Sequence, residues 1–242
     1  VSVSQIREVQ IEDLLGRESV DLDKSGLTRS LHSKVVLVTG AGGSIGSELC
    51  RQIASFSPEL LVLVDNSEFN LYKIARVLEE TWPSQAIVAS LTDITDQVAV
   101  AYVLAKYKPT ALFHAAAYKH VPLLEDQIRQ AVRNNVVGTK TIAEAAMAAG
   151  VEVFVQVSTD KAVNPTNVMG LTKRVAEIFC QNLNRTRAFP TRFITVRFGN
   201  VLDSAGSVVP LFRRQIQQGG PVTVTSSEIT RFFMTIAEAS QL

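Results

Sequence analysis

Short apolar runs bounded by turn residues alternate along most of this chain with longer segments of helical period. Val35–Val38, Leu60–Val64, Ala86–Ala89, Ala111–His114, Val153–Val157 and Phe193–Phe198 are short, continuous and rich in β-branched residues. Such runs suit strands buried on both faces of a parallel sheet. Ser44–Ala54, Glu68–Glu80, Asp96–Lys106, Gln130–Ala149 and Val168–Arg187 carry helical spacing between them. Strand alternating with helix predicts right-handed βαβ units, hence an α/β fold built on a doubly wound parallel sheet. After Asn200 the alternation weakens. A helix is expected over Ser207–Gln218, then a break at Gly219-Gly220-Pro221 before a short strand at Val222–Thr225. Leu242 falls inside what reads as a new helix. No internal repeat is visible.

Composition narrows the picture. Of 242 residues, 46% are hydrophobic and 19% charged, which excludes a disordered chain. A net charge of +1 gives no electrostatic ground for binding nucleic acid. Cys50 and Cys180 lie far apart with no Cys or His cluster. A disulfide scaffold and a metal site are therefore not expected, and a reducing, cytoplasmic setting is. No apolar run approaches the ~20 residues that span a bilayer. The first residue is not Met, so the chain reads as a piece of something longer.

The first strand runs directly into Thr39-Gly40-Ala41-Gly42-Gly43-Ser44-Ile45-Gly46, with glycines 40, 43 and 46 three apart at the opening of a helix. Glycine at these places lets the backbone turn tightly and approach a pyrophosphate, which the helix N-terminus then attracts. A glycine triplet alone is weak; between a strand and a helix it predicts a dinucleotide site. Asp65 ends the second strand 65 − 46 = 19 residues beyond Gly46, close to the spacing of the carboxylate that binds the adenosine ribose. That favours NAD, with NADP as the alternative; capping of the helix near Glu68 is a second role open to Asp65. Asp93 is a candidate for the adenine edge or a plain turn former.

Thr39-Gly-x-x-Gly-x-x-Gly46, His114-Ala-Ala-Ala117, Asn135-Val-x-Gly-Thr139 and Arg197-Phe-Gly-Asn200 together resemble the extended short-chain dehydrogenase/reductase superfamily. More narrowly, residues 113–125 (FHAAAYKHVPLLE), 158–173 (STDKAVNPTNVMGLTK) and 197–210 (RFGNVLDSAGSVVP) are similar to the bacterial UDP-N-acetylglucosamine 4,6-dehydratases of polysaccharide biosynthesis. The likeness covers nearly all of residues 6–242. Residues 1–33, polar and charged with one amphipathic patch at Ile11–Leu15, read as an N-terminal arm that docks on the domain; the likeness adds a dinucleotide domain over 34–200 and an incomplete nucleotide-sugar lobe over 201–242. It also implies a homo-oligomer, a UDP-N-acetylhexosamine substrate and, in long members, a membrane anchor before residue 1.

By resemblance, Asp160 is the acid for the C6 hydroxyl and Lys161 the base at C5, with Ser158 and Thr159 beside them. From the two residues alone, a surface ion pair in a polar loop is the simpler account. Met169 and Lys173 lie four apart on one helix face. Most relatives carry Tyr and Lys there; Lys173 fits the nicotinamide-ribose contact. Met169 has no titratable proton, so another group must accept the C4 hydroxyl proton; a core methionine is the plain alternative. The resemblance extends the dinucleotide contacts to Ser44, Ile45, Ile94, Ala115 and Val201. It places Lys119, His120, Asn200 and Arg231 on the substrate. His120 fits helix capping or packing as well, and Arg231 fits a surface ion pair as well. His114, inside a strand, reads as structural.

Overall fold

The computed structural model describes residues 24–186, 189–202, 204, 208–224, 226–228 and 230–242. The amphipathic patch at Ile11–Leu15, Arg187 at the expected helix end, Ser207 and Thr225 lie outside the described residues. Among the described residues two compact units are distinguished: residues 24–198, and Gly199–Leu242.

In the first unit, β1 (Val35–Thr39), β2 (Leu60–Asp65), β3 (Ile87–Leu91), β4 (Ala111–His114), β5 (Val153–Thr159) and β6 (Arg192–Phe198) form one sheet. Its order is β3-β2-β1-β4-β5-β6, and every pairing is parallel. The order reverses between β1 and β4, the switch point beyond whose carboxyl ends open α/β sheets bind ligands. Helices cover both faces. α2 (Ser44–Ala54) and α3 (Glu68–Thr81) pack Leu49, Ile53, Leu71, Ile74 and Leu78 on one side. α4 (Gln97–Tyr107), α7 (Thr139–Ala148) and α8 (Val168–Thr186) pack Val103, Leu104, Ile142, Ala146 and Cys180 on the other. Val36, Leu37 and Val38 are fully buried in succession, which is why β1 shows no alternation of apolar and polar residues.

The remaining helices of this unit are shorter: α1 (Lys24–Leu31), α5 (Val121–Asp126) and α6 (Ile128–Ala131). The helix expected over Gln130–Ala149 is divided. Val132–Gly138 is a π-helical stretch between α6 and α7. Lys24–Leu31 is helical within the segment expected as an arm.

In the second unit, β7 (Asn200–Val201) pairs in parallel with β8 (Phe233–Met234). In sequence, α9 (Val208–Gln217) lies between the two strands and α10 (Ile236–Gln241) follows β8. The strand expected at Val222–Thr225 does not form over 222–224, which have no regular structure. Instead the partner of Asn200–Val201 comes from Phe233–Met234, a pairing distant in sequence that local apolar runs do not announce. α10 opens with a capping box in which Thr235 and Glu238 exchange side-chain and backbone hydrogen bonds.

Candidate dinucleotide and sugar site

The glycine turn is a close-packed cradle. Gly40 has φ +67°, and a Cβ there would lie 2.6 Å from the Ala116 nitrogen. A Cβ on Gly46 would strike the Gly40 carbonyl. Both positions therefore exclude a side chain, for conformation at one and for contact at the other. α2 starts from Gly43 with no side-chain cap, so its positive dipole end is left to the backbone N–H groups and whatever they meet. Asp65 lies across the turn, only 9% exposed. Its two oxygens accept from the Gly42 and Ser67 backbone N–H groups, each at 2.9 Å. Ser67, not Asp65, caps α3, accepting from the Asn70 N–H.

Two concavities open here. One of about 200 Å³ is lined by Gly40, Gly43, Asp65, Ile94, Ala115 and Asn134 among others. A larger one of about 600 Å³ is walled by Gly43–Gly46, Tyr118, Lys119, His120, Leu124 and Gln130 among others. They share Gly43, Ala115, Ala117 and Tyr118. Five of the predicted cofactor residues, Gly40, Gly43, Asp65, Ile94 and Ala115, thus meet around the smaller one, and Ser44, Ile45 and Gly46 join the larger. Asp93 is exposed and lines neither; its Oδ1 accepts from the Thr95 N–H at 2.8 Å, the turn-forming alternative. His120 stands at the N-cap of α5 without a side-chain capping bond, and it lines the larger cavity. Lys119 is exposed, yet crowding still lowers its pKa through desolvation.

At the carboxyl end of β5 the chain turns through one 3-10 turn, Asp160–Ala162. Thr159 caps it, its hydroxyl oxygen accepting from the Lys161 N–H at 3.3 Å. That hydroxyl donates to Asp160 Oδ1 at 2.9 Å, and Lys161 Nζ meets the same oxygen at 3.0 Å. The pair is partly wet, with side chains 45% and 29% exposed for Asp160 and Lys161. Lys173 differs: it is 5% exposed, donates to the Val157 carbonyl at 2.6 Å, and burial pushes its pKa down to about 8. Glu177 and Cys180 oppose that shift. Met169, one helical turn earlier, is buried with Leu124 and Ala131.

Three residues hold these pieces and were given no role from the sequence. Glu125 accepts from the Val168 N–H at 2.8 Å and so caps α8 from α5. Asn135, from the π-helical stretch, binds Tyr118 N–H and C=O and the Thr172 hydroxyl at 2.8–3.1 Å. It joins the loop that lines both cavities to the helix of Lys173. Glu177, fully buried, accepts from Ser158, Arg174 and Arg197. Glu177 was visible as a charge on the apolar face of α8, four residues beyond Lys173. Asn200, Val201 and Arg231 belong to the second unit, where Asn200 and Val201 form β7 and Arg231 is exposed.

A six-stranded parallel sheet of this order, with a glycine cradle at its switch point, defines a Rossmann-type fold of the extended short-chain dehydrogenase/reductase kind. Within that class, the chain belongs to the polysaccharide biosynthesis protein family, which it matches over residues 36–242.

The capsular polysaccharide biosynthesis protein CapD of Staphylococcus aureus is 50% identical over 243 residues, covering 100% of this chain and 40% of that protein. A UDP-N-acetylglucosamine 4,6-dehydratase (inverting) of Campylobacter jejuni is 29% identical over 210 residues, 86% of this chain and 61% of the enzyme. A UDP-glucose 4-epimerase of Rickettsia canadensis is 42% identical over 132 residues, 54% of this chain and 39% of that protein. Among solved structures, Pen from Bacillus thuringiensis superposes with TM-score 0.81 at 32% identity, covering 88% of this chain and 66% of that one. DesIV, a dTDP-glucose 4,6-dehydratase of Streptomyces venezuelae with NAD and TYD bound, superposes with TM-score 0.74 at 23% identity, covering 86% and 70%. The chain spans about 40% of the length of CapD.

Proposed function

We propose that this chain is the dinucleotide-binding core of a 4,6-dehydratase that acts on a UDP-N-acetylhexosamine, UDP-N-acetylglucosamine first, in the making of surface polysaccharide. The observation that carries this reading is the Thr159-Asp160-Lys161 turn, an acid and an amine on one hydroxyl-capped turn at the carboxyl edge of the sheet. The dehydratase relative supports it.

The cradle fits a dinucleotide, since the space a Cβ would fill at Gly40 and Gly46 is where backbone must come close. Gly43–Gly46 would hold the diphosphate, Asp65 the adenosine ribose, Ile94 and Ala115 the adenine side, and Lys173 the nicotinamide ribose. When bound, NAD supplies the acceptor and donor of hydride.

The chain's own residues move the protons. Met169 has none to exchange, so the C4 hydroxyl proton passes to Asp160, directly or through water at Thr159. Lys161, beside Asp160 on the same turn, serves as the base. The free amine takes the C5 proton, made acidic by the C4 ketone. Asp160 returns its proton to the departing C6 hydroxyl, water leaves, and Lys161, after exchange with solvent, gives a proton back to C5 as C6 regains hydride. Lys119 and His120, on the larger cavity, would meet the sugar nucleotide.

A 4-epimerase is the second reading, favoured by the Rickettsia relative. It calls for a proton-exchanging side chain at position 169, which Met169 does not supply.

The test uses the full-length protein with UDP-N-acetylglucosamine and NAD. A product lighter by one water is expected, with Lys161→Met ending deuterium uptake at C5 while NAD binding persists. A product of unchanged mass would replace this reading by the epimerase.

A further inference from the structure

Ser158 and Arg197 are direct partners in the β5–β6 ladder, so their side chains share a face of the sheet. On that face, α8 lowers Glu177 between them. One carboxylate oxygen accepts from the Ser158 hydroxyl at 2.6 Å and from Arg197 Nε at 2.8 Å. The other accepts from Arg174 Nη1 at 3.1 Å and from Arg197 Nη2. The carboxylate is wholly buried and bound by four donors, while Arg174 and Arg197 keep 37% and 35% of their side chains exposed. A buried carboxylate held this fully locks the three elements that carry it.

The lock sits at a mechanically important place. Ser158 is the last buried residue before the Thr159-Asp160-Lys161 turn. Lys173 stands four residues before Glu177 on the same helix face, and its ammonium binds the Val157 carbonyl, next to Ser158. We propose that Glu177 is a positioning residue: with Arg197 it clamps the end of β5 to α8, registering the Asp160–Lys161 turn against Lys173, and it is the carboxylate that balances the buried ammonium.

Electrostatics gives this role a readout that simple loss of structure would not produce. The groups that act on Lys173 are Glu177 and Cys180 from its own helix, His114 from β4, and Arg174 and Arg197 through Glu177. Burial holds the Cys180 thiol and the His114 ring neutral. The Glu177–Arg197 pair is therefore the charge balance that Lys173 feels. Glu177→Gln removes the anion and makes the ammonium harder to keep. Arg197→Gln takes away two of the anion's four donors and one of its two cations, leaving Arg174, and makes the ammonium easier to keep.

The inference rests on the dinucleotide role given above to Lys173, and it is tested by binding rather than turnover. NAD affinity is measured by calorimetry from about pH 6 to about pH 10, the span around a shifted lysine. In the unsubstituted protein affinity should fall as pH rises through about 8, where Lys173 loses its charge. Glu177→Gln should move that fall down by about one pH unit, and Arg197→Gln should move it up. Opposite displacements support the proposal. Superposable profiles, displacements of the same sign, or a flat profile in the unsubstituted protein overturn it. If Glu177→Gln does not fold, Arg197→Gln decides alone, because Arg197 is partly exposed and its direction is specified. If both displacements appear but no dehydrated product ever forms, the clamp stands and the dehydratase reading fails.

Discussion

In the proposed function, Asp65 is the residue on which dinucleotide choice would turn. Each of its oxygens accepts one backbone N–H, from Gly42 and from Ser67, and retains a lone pair for a ribose hydroxyl. A 2′-phosphate in the same place would set like charges a few ångströms apart, worth about 4 kcal/mol at the effective dielectric of a partly buried site. NAD should bind more tightly than NADP, and Asp65→Asn should cut that preference by about tenfold or more. Calorimetry with both dinucleotides checks this; an unchanged ratio would remove Asp65 from the choice. Its position was readable from spacing, because the distance from glycine turn to second strand end is set by one helix and two short connections. Glu177 was not readable in the same way. A glutamate on a helix is ordinarily solvated, and only the crossing of α8 over the Ser158–Arg197 pair buries this one.

The π-helical stretch Val132–Gly138 shows where element-level inference from sequence stops. Over seven residues, apolar spacing cannot separate a widened turn from an ordinary helix, so Gln130–Ala149 read as one element. The widening places Asn134 on the smaller cavity and turns Asn135 to Tyr118 and Thr172. It closes at Gly138, where a Cβ would come within 2.6 Å of Ile94 Cδ1. Ile94 is 4% exposed and lines the same cavity. Gly138→Ala should therefore displace the end of Ile94 into the smaller cavity, where the proposed function puts the adenosine. The expected stability loss is small, about 1 kcal/mol in urea unfolding, because a flexible side-chain end can move. The expected loss of NAD affinity is larger, about tenfold. Unchanged affinity would mean that Ile94 does not shape the groove.

At the scale of the whole molecule, His114 pins the sheet to the helices behind it. The Thr139 hydroxyl donates to the Asn135 carbonyl, so it accepts from His114 Nε2–H, and Nδ1 accepts from the Thr39 hydroxyl at 2.7 Å. Burial, and then the charge of Lys173, push the ring pKa down to about 3. Above about pH 6.5 the ring is neutral in both folded and unfolded chains, and it contributes no pH dependence. Between about 6.5 and 3 the unfolded chain takes up a proton that the folded one refuses, so stability falls by about 1.4 kcal/mol per pH unit. Urea midpoints between about pH 6.5 and 5, above most carboxylate titration, should decline in the unsubstituted protein. They should decline less in His114→Asn, and equal slopes would show that His114 is not the group responsible.

Among the described residues, no helix is long and apolar enough to cross a membrane. The sequence by itself determined the alternation of strands and helices, the glycine turn and the carboxylate spaced from it, because these depend on period, on the missing Cβ and on short connections. It also brought Thr159, Asp160 and Lys161 together, since neighbours in the chain need no fold to meet. Only the tertiary structure decided the pairing of Asn200–Val201 with Phe233–Met234, the capping of α8 by Glu125 and the burial of Glu177 under two arginines. Those contacts join residues tens of positions apart or turn a polar side chain inward, and their free energy exists only once strands and helices have packed.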